Sequence, residues 1–433
     1  MRKVVYPVVV ALGIRLALAP WFMHPWDLTT VMMSSNQFLS GVNPYTYVQQ
    51  QAQALQAATG QPVPFFGFAY SATTLLMYAP FYELYRLLGF AALPLTGWQG
   101  QPGQVMGLVY PDAFAFLFLM KIPVIAADTV AVWLLYKRNP RLGWAYALSP
   151  YVIVITSVLG EFDPLVGVLL LIAYLEFDRS RFWSGFAFGL SMMKFYTVAA
   201  APVFLLGVGR KPKELAAFLA GAFVANLPSM YYLLVDPSSF MYAIGFQATR
   251  AAGGVNIWSD LIALNSVSLQ LQAANVVSLV FVAALVVAVV ASWKSHIELK
   301  ESIVLLMLVY MVFAPVTNEQ LLAAVLPLGL LARNFSHKLA IFPLAFLAFN
   351  NSATFFYLAT PILFQSPALI SVFHGVNAWW GGATGPYVIQ ARYFIGGAAG
   401  VAAFLMARST FGQPLRLRLS LSRKVLGQGG REL

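Results

Sequence analysis

The chain has 433 residues, of which 60% are hydrophobic and 9% are charged, and its mean hydropathy is +0.74. This composition excludes an ordinary soluble globular domain, because recurring apolar runs of about 18 residues or more are typical of membrane helices. The formal net charge of +11 does not indicate nucleic-acid binding, because the basic residues lie in short polar breaks and in the tail Arg408–Leu433, as positive-inside orientation produces.

The first apolar segment, Val4–Phe22, follows Met-Arg-Lys and lacks a small-residue cleavage site, so the sequence predicts a retained first helix rather than a signal peptide. Asp27 comes next. It is either the N-cap of a surface helix that begins at Leu28 or a functional acid at the membrane surface. Further along, Gly41-Val-Asn-Pro-Tyr45 is typical of a helix C-cap followed by a helix breaker. We expect this turn to reverse the chain so that two surface helices lie over a cavity.

Basic breaks predict the cytoplasmic side of the membrane. They lie at residues 2–3, 137–141, 178–181, 210–213, 294–300 and 333–338 and in the tail. From residue 137 onward the apolar spans alternate across the membrane without conflict. These spans cover residues 142–158, 164–177, 214–235, 270–293, 302–316, 321–332, 339–359 and 391–407.

Two regions do not fit simple crossings. Between Asp27 outside and residue 137 inside, an odd number of crossings is needed, but the chain offers two apolar runs, 65–92 and 112–136. One run is therefore expected to be re-entrant, split or laid along the outer surface, and an interruption at Pro80 favours the first run. Residues 182–209 are expected to form two short helices that meet near Lys194. Such short helices are tolerated where they line a cavity, which we expect to open externally.

Polar residues collect on the predicted external side. Charge at membrane depth costs ~2.5–3.5 kcal/mol per residue, so such residues usually mark functional sites. Lys194 lies too far from either basic break to reach the cytoplasmic face. Asp163 before Pro164 is alternatively an N-cap, and residues 318–320 are alternatively a polar hairpin. The external set is Asp27, Glu161, Asp163, Lys194, Arg250, Asn318, Glu319 and Gln320.

A carboxylate and two cations that face one cavity suit glycosyl transfer from a lipid phosphate. The carboxylate takes a proton from the attacking hydroxyl, and the cations stabilise the phosphate leaving group. The chain has no P-loop and no Gly-x-Gly-x-x-Gly fingerprint, so we expect an activated donor that already resides in the membrane, such as a polyprenyl-phosphate sugar. The same layout admits a lipid phosphatase or a transporter. With no cysteine and four scattered histidines, no thiol chemistry or zinc-type cluster is expected.

Motifs in order along residues 5–330 resemble the GT-C superfamily of glycosyltransferases that use polyprenyl- or dolichyl-phosphate sugars. Within it, they are similar to the catalytic subunit of glycosylphosphatidylinositol mannosyltransferase I and to prokaryotic polyprenyl-phosphate-mannose-dependent mannosyltransferases. The motifs are Asp27 … Gly41-Val-Asn43-Pro44-Tyr45 … Phe68-Ala-Tyr70, Lys121-Ile-Pro … Asp128, Asn139-Pro … Ser149-Pro … Gly160-Glu161-Phe-Asp163, Gly185 … Lys194-Phe-Tyr196, Phe246-Gln … Arg250 … Gly253-Gly … Trp258, and Asn318-Glu319-Gln320.

The resemblance implies an all-α polytopic integral membrane protein with the GT-C fold, about 10–13 transmembrane helices and surface helices in the first external loop. It implies one membrane domain over residues 1–407, with the first external loop at 23–69, and a basic cytoplasmic tail over 408–433. Both termini are then expected in the cytoplasm, and the active site is expected to face the external or luminal side.

The resemblance also implies roles for residues. Asp27 matches the family's catalytic acid, Glu161 and Asp163 match its second acidic loop, and Lys194 and Arg250 match positions expected to meet the donor phosphate. The family's Asp-x-Asp pattern is reduced here to Asp27 alone, which fits transfer without a metal; no cofactor is assigned, and a divalent metal is not favoured. The residues expected to shape the loops and line the substrate are Gly41, Asn43, Pro44, Tyr45, Tyr70, Tyr196, Trp258, Asn318, Glu319 and Gln320.

The expected function is inverting transfer of a sugar, with mannose as the expected sugar, in glycolipid or glycoprotein glycan biosynthesis. The expected partners are membrane lipids, the polyprenyl-phosphate sugar donor and a lipid-linked or glycan acceptor. A small membrane partner subunit is a further candidate, and no nucleic-acid partner is expected. The segment 360–390, with Trp379-Trp380, is expected to shape the acceptor site or to anchor at the interface. The alternatives are a lipid or lipid-linked-oligosaccharide transporter and a non-catalytic GT-C-like subunit.

Overall fold

The chain is helical apart from turns and strands of two residues each, as far as the computed structural model describes it. Some helical residues, among them 25–27 and 410–428, are described by their backbone alone. The described residues are 2–23, 25–59, 68–90, 112–209, 211–249, 253–259, 269–295, 297–349, 357–358, 368, 371, 375 and 385–428.

The helices fall into two halves along the chain. In the first half they are α1 Arg2–Leu18, α2 Pro25–Leu39, α3 Pro44–Thr59, α4 Thr73–Leu87, α5 Asp112–Arg138, α6 Pro140–Ala147, α7 Pro150–Ile153 with a π-helix over Val154–Leu159, α8 Asp163–Glu176, α9 Arg181–Ser191 and, after a 3₁₀ turn over Phe195–Ala200, α10 Ala201–Val208. In the second half they are α11 Pro212–Ala225, α12 Leu227–Val235, α13 Pro237–Thr249, α14 Leu269–Lys294, α15 Leu299–Phe313, α16 Leu321–Gly329, α17 Ile341–Ala348 and α18 Gly385–Gln428.

Four short strands, β1 to β4, tie distant loops together. They are β1 Phe22–Met23, β2 Gly253–Gly254, β3 Val316–Thr317 and β4 Tyr357–Leu358. β1 pairs antiparallel with β4, and β2 pairs parallel with β3. Each pair therefore fixes a loop against a part of the chain that is remote in sequence.

Several helices are suited to a membrane. Three are long and apolar enough to cross one, and the count rises to five if each of two bent helix pairs is a single span. The bent pairs are α6 with α7 and its π-helix, at 49°, and α11 with α12, at 65°. The fold is thus compatible with an all-α membrane protein, whereas the described helices do not reach the expected 10–13 spans by this criterion.

Helix starts follow the expected local chemistry. The side chain of Asn139 accepts a hydrogen bond from the backbone N–H of Arg141 at 2.9 Å, and Pro140 opens α6. Ser149 starts α7 in the same way, with Pro150 at the first helical position. Asparagine and serine cap exposed N–H groups, and proline at the first position has no N–H to satisfy. These two Asn-Pro and Ser-Pro pairs explain why the span breaks between α6 and α7.

The two irregular regions of the sequence differ in helix length. The run 112–136 lies in α5, which has 27 residues, whereas the run 65–92 contains α4, which has 15 residues and rises ~22 Å, short of a ~30 Å core. Pro80 lies inside α4 without interrupting it, so the interruption expected at this proline is wrong. That the first run is re-entrant, split or laid along the outer surface stays a prediction. As expected, α9 and α10 are short and meet around Lys194.

One expectation about the chain's periphery changes. α2 is not a surface helix, because Leu28, Val31 and Ser35 are buried and the helix packs against α4. Its apolar side completes the main core rather than covering it. α18 continues as one helix through residue 407 to Gln428, and the basic cytoplasmic tail over 408–433 stays a prediction.

Glycines bring the site-bearing helices close together. A methyl group on Gly167 of α8 would lie 2.8 Å from the carbonyl oxygens of Ala323 and Ala324 in α16. Gly185 of α9 meets the backbone of Phe218 in α11 with no room for a side chain. Small residues let helix backbones approach in this way in membrane proteins. The starts of α8 and α16 are thereby held together, and α9 is held against α11.

Candidate functional site

The second acidic loop is built by a helix ending and a helix start. Gly160 ends the π-helix with φ of 78°, which favours glycine, and the N–H of Glu161 donates to the carbonyl of Ile155 at 3.0 Å. Glu161 is fully buried and Asp163 is 2% exposed. Phe162, not Asp163, occupies the N-cap position of α8. The N-cap alternative for Asp163 is therefore wrong, and its carboxylate has other partners.

Lys194 is the main partner of this loop. It follows α9 in extended conformation, and its Nζ lies 2.6 Å from Asp163 Oδ2 and 3.8 Å from Glu161 Oε2. The Tyr196 hydroxyl donates to Asp163 Oδ1 at 2.6 Å. The ammonium also lies 4.3 Å from the centre of the Phe162 ring, within cation–π range. One cation is thus held between two buried carboxylates.

The turn at residues 318–320 completes the cluster. Gln320 Nε2 donates to Glu161 Oε1 at 3.2 Å. The carbonyl of Glu319 accepts from the Tyr151 hydroxyl at 2.5 Å, and the carbonyl of Asn318 accepts from the N–H of Leu321 at 3.2 Å. Gln320 is therefore more than part of a polar hairpin, because its side chain reaches the second acidic loop.

Residues 253–259, which follow Arg250 in the chain, contact the segment before this turn. Arg250 itself lies outside the described residues, but Gly253 three residues later pairs with Val316 in the β2–β3 sheet. The Asn256 side chain donates to the carbonyls of Gly253 at 2.9 Å and Ala314 at 3.1 Å. Trp258 Nε1 donates to the carbonyl of Phe313 at 2.9 Å, a contact that holds this loop in place. The substrate-lining role of Trp258 stays a prediction. No motif in the sequence marks Asn256, because its acceptors are backbone groups, which every residue carries.

The start of α2, in the first predicted external loop, lies next to the second acidic loop. α2 begins at Pro25, so Asp27 lies in its first turn and not at the N-cap; the Asp27 side chain lies outside the description. Leu28, the next residue, packs so closely on Gly160 that a methyl group there would lie 2.9 Å from Leu28 Cδ1. The first turn of α2 is therefore adjacent to the second acidic loop.

The Gly41 turn has the predicted geometry. Gly41 has φ of 73°, and the N–H of Val42 donates to the carbonyl of Gln37 at 2.8 Å, which closes α2. Asn43 Oδ1 then accepts from the N–H of Tyr45 at 3.0 Å, while Pro44 is the first residue of α3. Asn43 and Pro44 thus start the next helix as well as ending the previous one.

Tyr45 connects this turn to the charged cluster. It packs edge-to-face on Tyr232 and Phe240 in a second core that also contains Phe68. Its hydroxyl donates to the carbonyl of Tyr70 at 2.7 Å, and the centre of the Tyr70 ring lies 5.7 Å from Lys194 Nζ. Tyr70 therefore borders the cluster, whereas Tyr45 contacts the backbone of Tyr70 and not the cluster itself.

A second buried ion pair lies deeper in the bundle. Arg15 of α1 donates to Asp128 of α5, and also to the carbonyl of Ala147 at 3.0 Å. Thr156 Oγ1 lies 3.4 Å from the same Asp128 carboxylate. Both charged side chains are fully buried. The pair joins α1, α5 and the α6–α7 region, and so it anchors the π-helix that leads to Glu161.

The cluster defines what chemistry the site can perform. Within the described residues no third acidic or histidine side chain joins Glu161 and Asp163 to form a metal-binding group. A buried ammonium next to aromatic rings, with carboxylates that orient it, can hold an anionic group by charge-assisted hydrogen bonds.

No protein-family model matches the chain, and no characterised protein matches it either.

Proposed function

We propose that the chain is an inverting GT-C glycosyltransferase. It would move a sugar, with mannose as the first candidate, from a polyprenyl-phosphate donor to a lipid-linked or glycan acceptor at the external membrane face. The observation that carries this proposal is the buried cluster of Lys194, Asp163 and Glu161 next to the first turn of α2, where Asp27 lies. The motif resemblance supplies the reaction class.

The proposed reaction needs one base and one phosphate clamp. The acceptor oxygen attacks the anomeric carbon of the sugar from the face opposite the phosphate, and the carbon–oxygen bond to the phosphate breaks. The acceptor proton goes to the Asp27 carboxylate, and the bonding electron pair leaves with the polyprenyl phosphate. Lys194 and Arg250 bind phosphate oxygens as negative charge develops there.

Asp163 and Tyr196 have a supporting role in this proposal. Lys194 is 9% exposed, and its long side chain loses rotamer freedom when it is fixed. The hydrogen bonds from Lys194 and Tyr196 to the two oxygens of Asp163, both 2.6 Å, fix the ammonium in advance. An ammonium has three donors, so contact with Asp163 does not preclude contact with a phosphate oxygen.

The decisive experiment is sugar transfer by purified protein. Labelled polyprenyl-phosphate-mannose is mixed with a total lipid extract as the source of acceptor, and wild type is compared with Asp27→Asn. We expect transfer by wild type and a loss of about 10²–10⁴-fold in the variant, because the base is removed. Asp178→Asn is the matched control, because Asp178 is 94% exposed and follows the end of α8 opposite to the cluster. Equal transfer by wild type and Asp27→Asn would reject Asp27 as the base.

Transport of a lipid or lipid-linked oligosaccharide is the second candidate. The buried Lys194–Asp163 pair favours it, since intramembrane lysine–carboxylate pairs occur in proton relays. Reconstituted vesicles containing a fluorescent polyprenyl-phosphate lipid separate the two candidates. Flux that is lost in Asp163→Asn, with no sugar transfer by wild type for any polyprenyl-phosphate sugar, would replace the enzyme proposal with this one.

A further inference from the structure

Lys121 makes an unusual set of contacts in the middle of α5. Its side chain is fully buried, and Nζ donates to backbone carbonyls rather than to a carboxylate. Four carbonyl oxygens share the three N–H donors of Nζ. They are those of Ala19 at 2.9 Å, Phe22, Ser157 at 2.7 Å and Val158 at 3.2 Å. The first two lie at the end of the α1 segment, where a 3₁₀ turn over Ala19–Trp21 follows α1 and Phe22 begins β1. The last two belong to the end of the π-helix.

These carbonyls share a physical property. The last carbonyls of a helix have no partner within the helix, and the aligned peptide dipoles place partial negative charge there. A lysine near a helix C-terminus satisfies both needs. Lys121 does so for two segments at once, because one ammonium caps the end of the α1 segment and the end of the π-helix.

Both capped ends lead directly into the candidate site. From Phe22 the chain continues to α2 and Asp27, and from Val158 it continues through Gly160 to Glu161 and Asp163. Gly160 lies between the Lys121 side chain and Leu28 of α2. A methyl group on it would lie 2.8 Å from Lys121 Cε and 2.9 Å from Leu28 Cδ1.

We propose that Lys121 is a positioning residue that couples the first external loop to the second acidic loop. Its ammonium sets the spacing between the first turn of α2 and the Glu161–Asp163–Lys194 cluster. Its effect on catalysis rests on the proposed function, but the coupling of the two loops does not. Lys121 acts through the backbone and contacts neither donor nor acceptor.

Hydrogen–deuterium exchange of the full-length protein in detergent tests the coupling directly. In Lys121→Met we expect exchange to become about tenfold faster or more in residues 22–39 and in residues 154–163 together, because both sets of carbonyls lose their donor. Lys137→Met is the matched control on the same helix, where the ammonium lies 3.7 Å from the Trp133 ring. Exchange that rises in only one of the two segments, or in neither, overturns the proposal.

A second variant covers the case in which Lys121→Met does not fold. Lys121→Gln keeps two N–H donors on a shorter side chain, and we expect an intermediate increase in both segments. Unchanged exchange in either segment of Lys121→Gln then overturns the proposal. If the sugar-transfer assay works, Lys121→Met lowers kcat by about 100-fold with little change in the donor KM, since a displacement of about 1 Å is costly for the reaction but not for binding. An increase in KM with unchanged kcat would reject the positioning role.

Discussion

Lys194 is the residue on which the charged cluster depends. Its ammonium is shared unequally, at 2.6 Å from Asp163 and 3.8 Å from Glu161, and all three side chains are buried. Removal of one partner from a buried ion pair leaves an uncompensated charge, which is costly because the remaining charge stays away from water. The loss of stability should therefore differ between a variant that removes Lys194 and one that removes Asp163 or Glu161.

We expect Lys194→Met to lower the free energy of unfolding by about 3–5 kcal/mol, because two carboxylates lose one cation. Asp163→Asn should cost less, about 1–3 kcal/mol, because Glu161 remains near the ammonium. Thermal unfolding in detergent, followed by circular dichroism, measures both. Lys211→Met is the control, because Lys211 is 69% exposed in a surface ion pair worth little. A larger loss in Asp163→Asn than in Lys194→Met would contradict the shared-cation description.

Gly160 and Gly41 form a natural pair for separating backbone strain from packing. Both have φ between 70° and 80°, but a methyl group would meet Lys121 and Leu28 at Gly160 and nothing within 4 Å at Gly41. We expect Gly41→Ala to cost about 1–2 kcal/mol from backbone strain alone and Gly160→Ala about 2–5 kcal/mol from strain plus overpacking. Melting temperatures of the two variants test this. Equal losses would mean that the neighbours of Gly160 move aside.

At the scale of helices, the sequence predicted the Gly41 turn and the short helices that meet near Lys194. It did not predict the breaks inside the spans 142–158 and 214–235 or the packing of α2. Asn139-Pro and Ser149-Pro are readable as helix starts because their chemistry involves adjacent residues. The burial of α2 was not predictable, since it depends on α4, which the sequence does not place. Pro80 was misread as a break because a proline inside a helix is tolerated when neighbouring groups accommodate it.

The hydrogen bonds of Asp236 at the start of α13 predict how the stability of the protein depends on pH. Asp236 Oδ1 accepts from the N–H of Ser239 at 3.1 Å, and Oδ2 accepts from Thr46 Oγ1 at 2.6 Å, which joins α13 to α3. Hydrogen bonds from Ser239 and then Thr46 hold the pKa of this carboxyl well below its usual value.

A lowered pKa in the folded state means that this stabilisation is complete above the unfolded pKa, near ~3.9, and is lost as the pH falls below it. We therefore expect Asp236→Asn to be less stable than wild type at pH 7 and the difference to shrink as the pH approaches 3. Melting temperatures across this range measure it. A difference that stays constant with pH would show that the Asp236 charge is not involved.

For the whole molecule, sequence reasoning anticipated which side chains meet better than how they are held. Lys194, Glu161 and Gln320 were grouped because charge and amide groups are rare in so apolar a chain, and the structure brings them together. The roles of Lys121 and Asn256 could not be predicted, because both bind backbone carbonyls, which every residue carries. The sidedness of the membrane stays a prediction.

Sidedness can be tested because the chain has no cysteine, so any introduced cysteine is unique. We expect Val42→Cys, at a position that is 44% exposed in the Gly41 turn, to react with an impermeant maleimide on intact cells. Arg179→Cys, where the native side chain is 69% exposed in a basic break, should react only after the membrane is permeabilised. The opposite pattern would place the candidate site on the cytoplasmic side.

The β1–β4 pair has a consequence for how the protein is made. Phe22, which precedes α2, pairs with Leu358, near the other end of the chain. At about 5–20 residues per second, the ribosome delivers the second strand on the order of tens of seconds after the first. During that interval the entrance to the first loop lacks its strand partner in the nascent chain. Its final geometry is therefore reached late in biogenesis, after most of the helices have been synthesised.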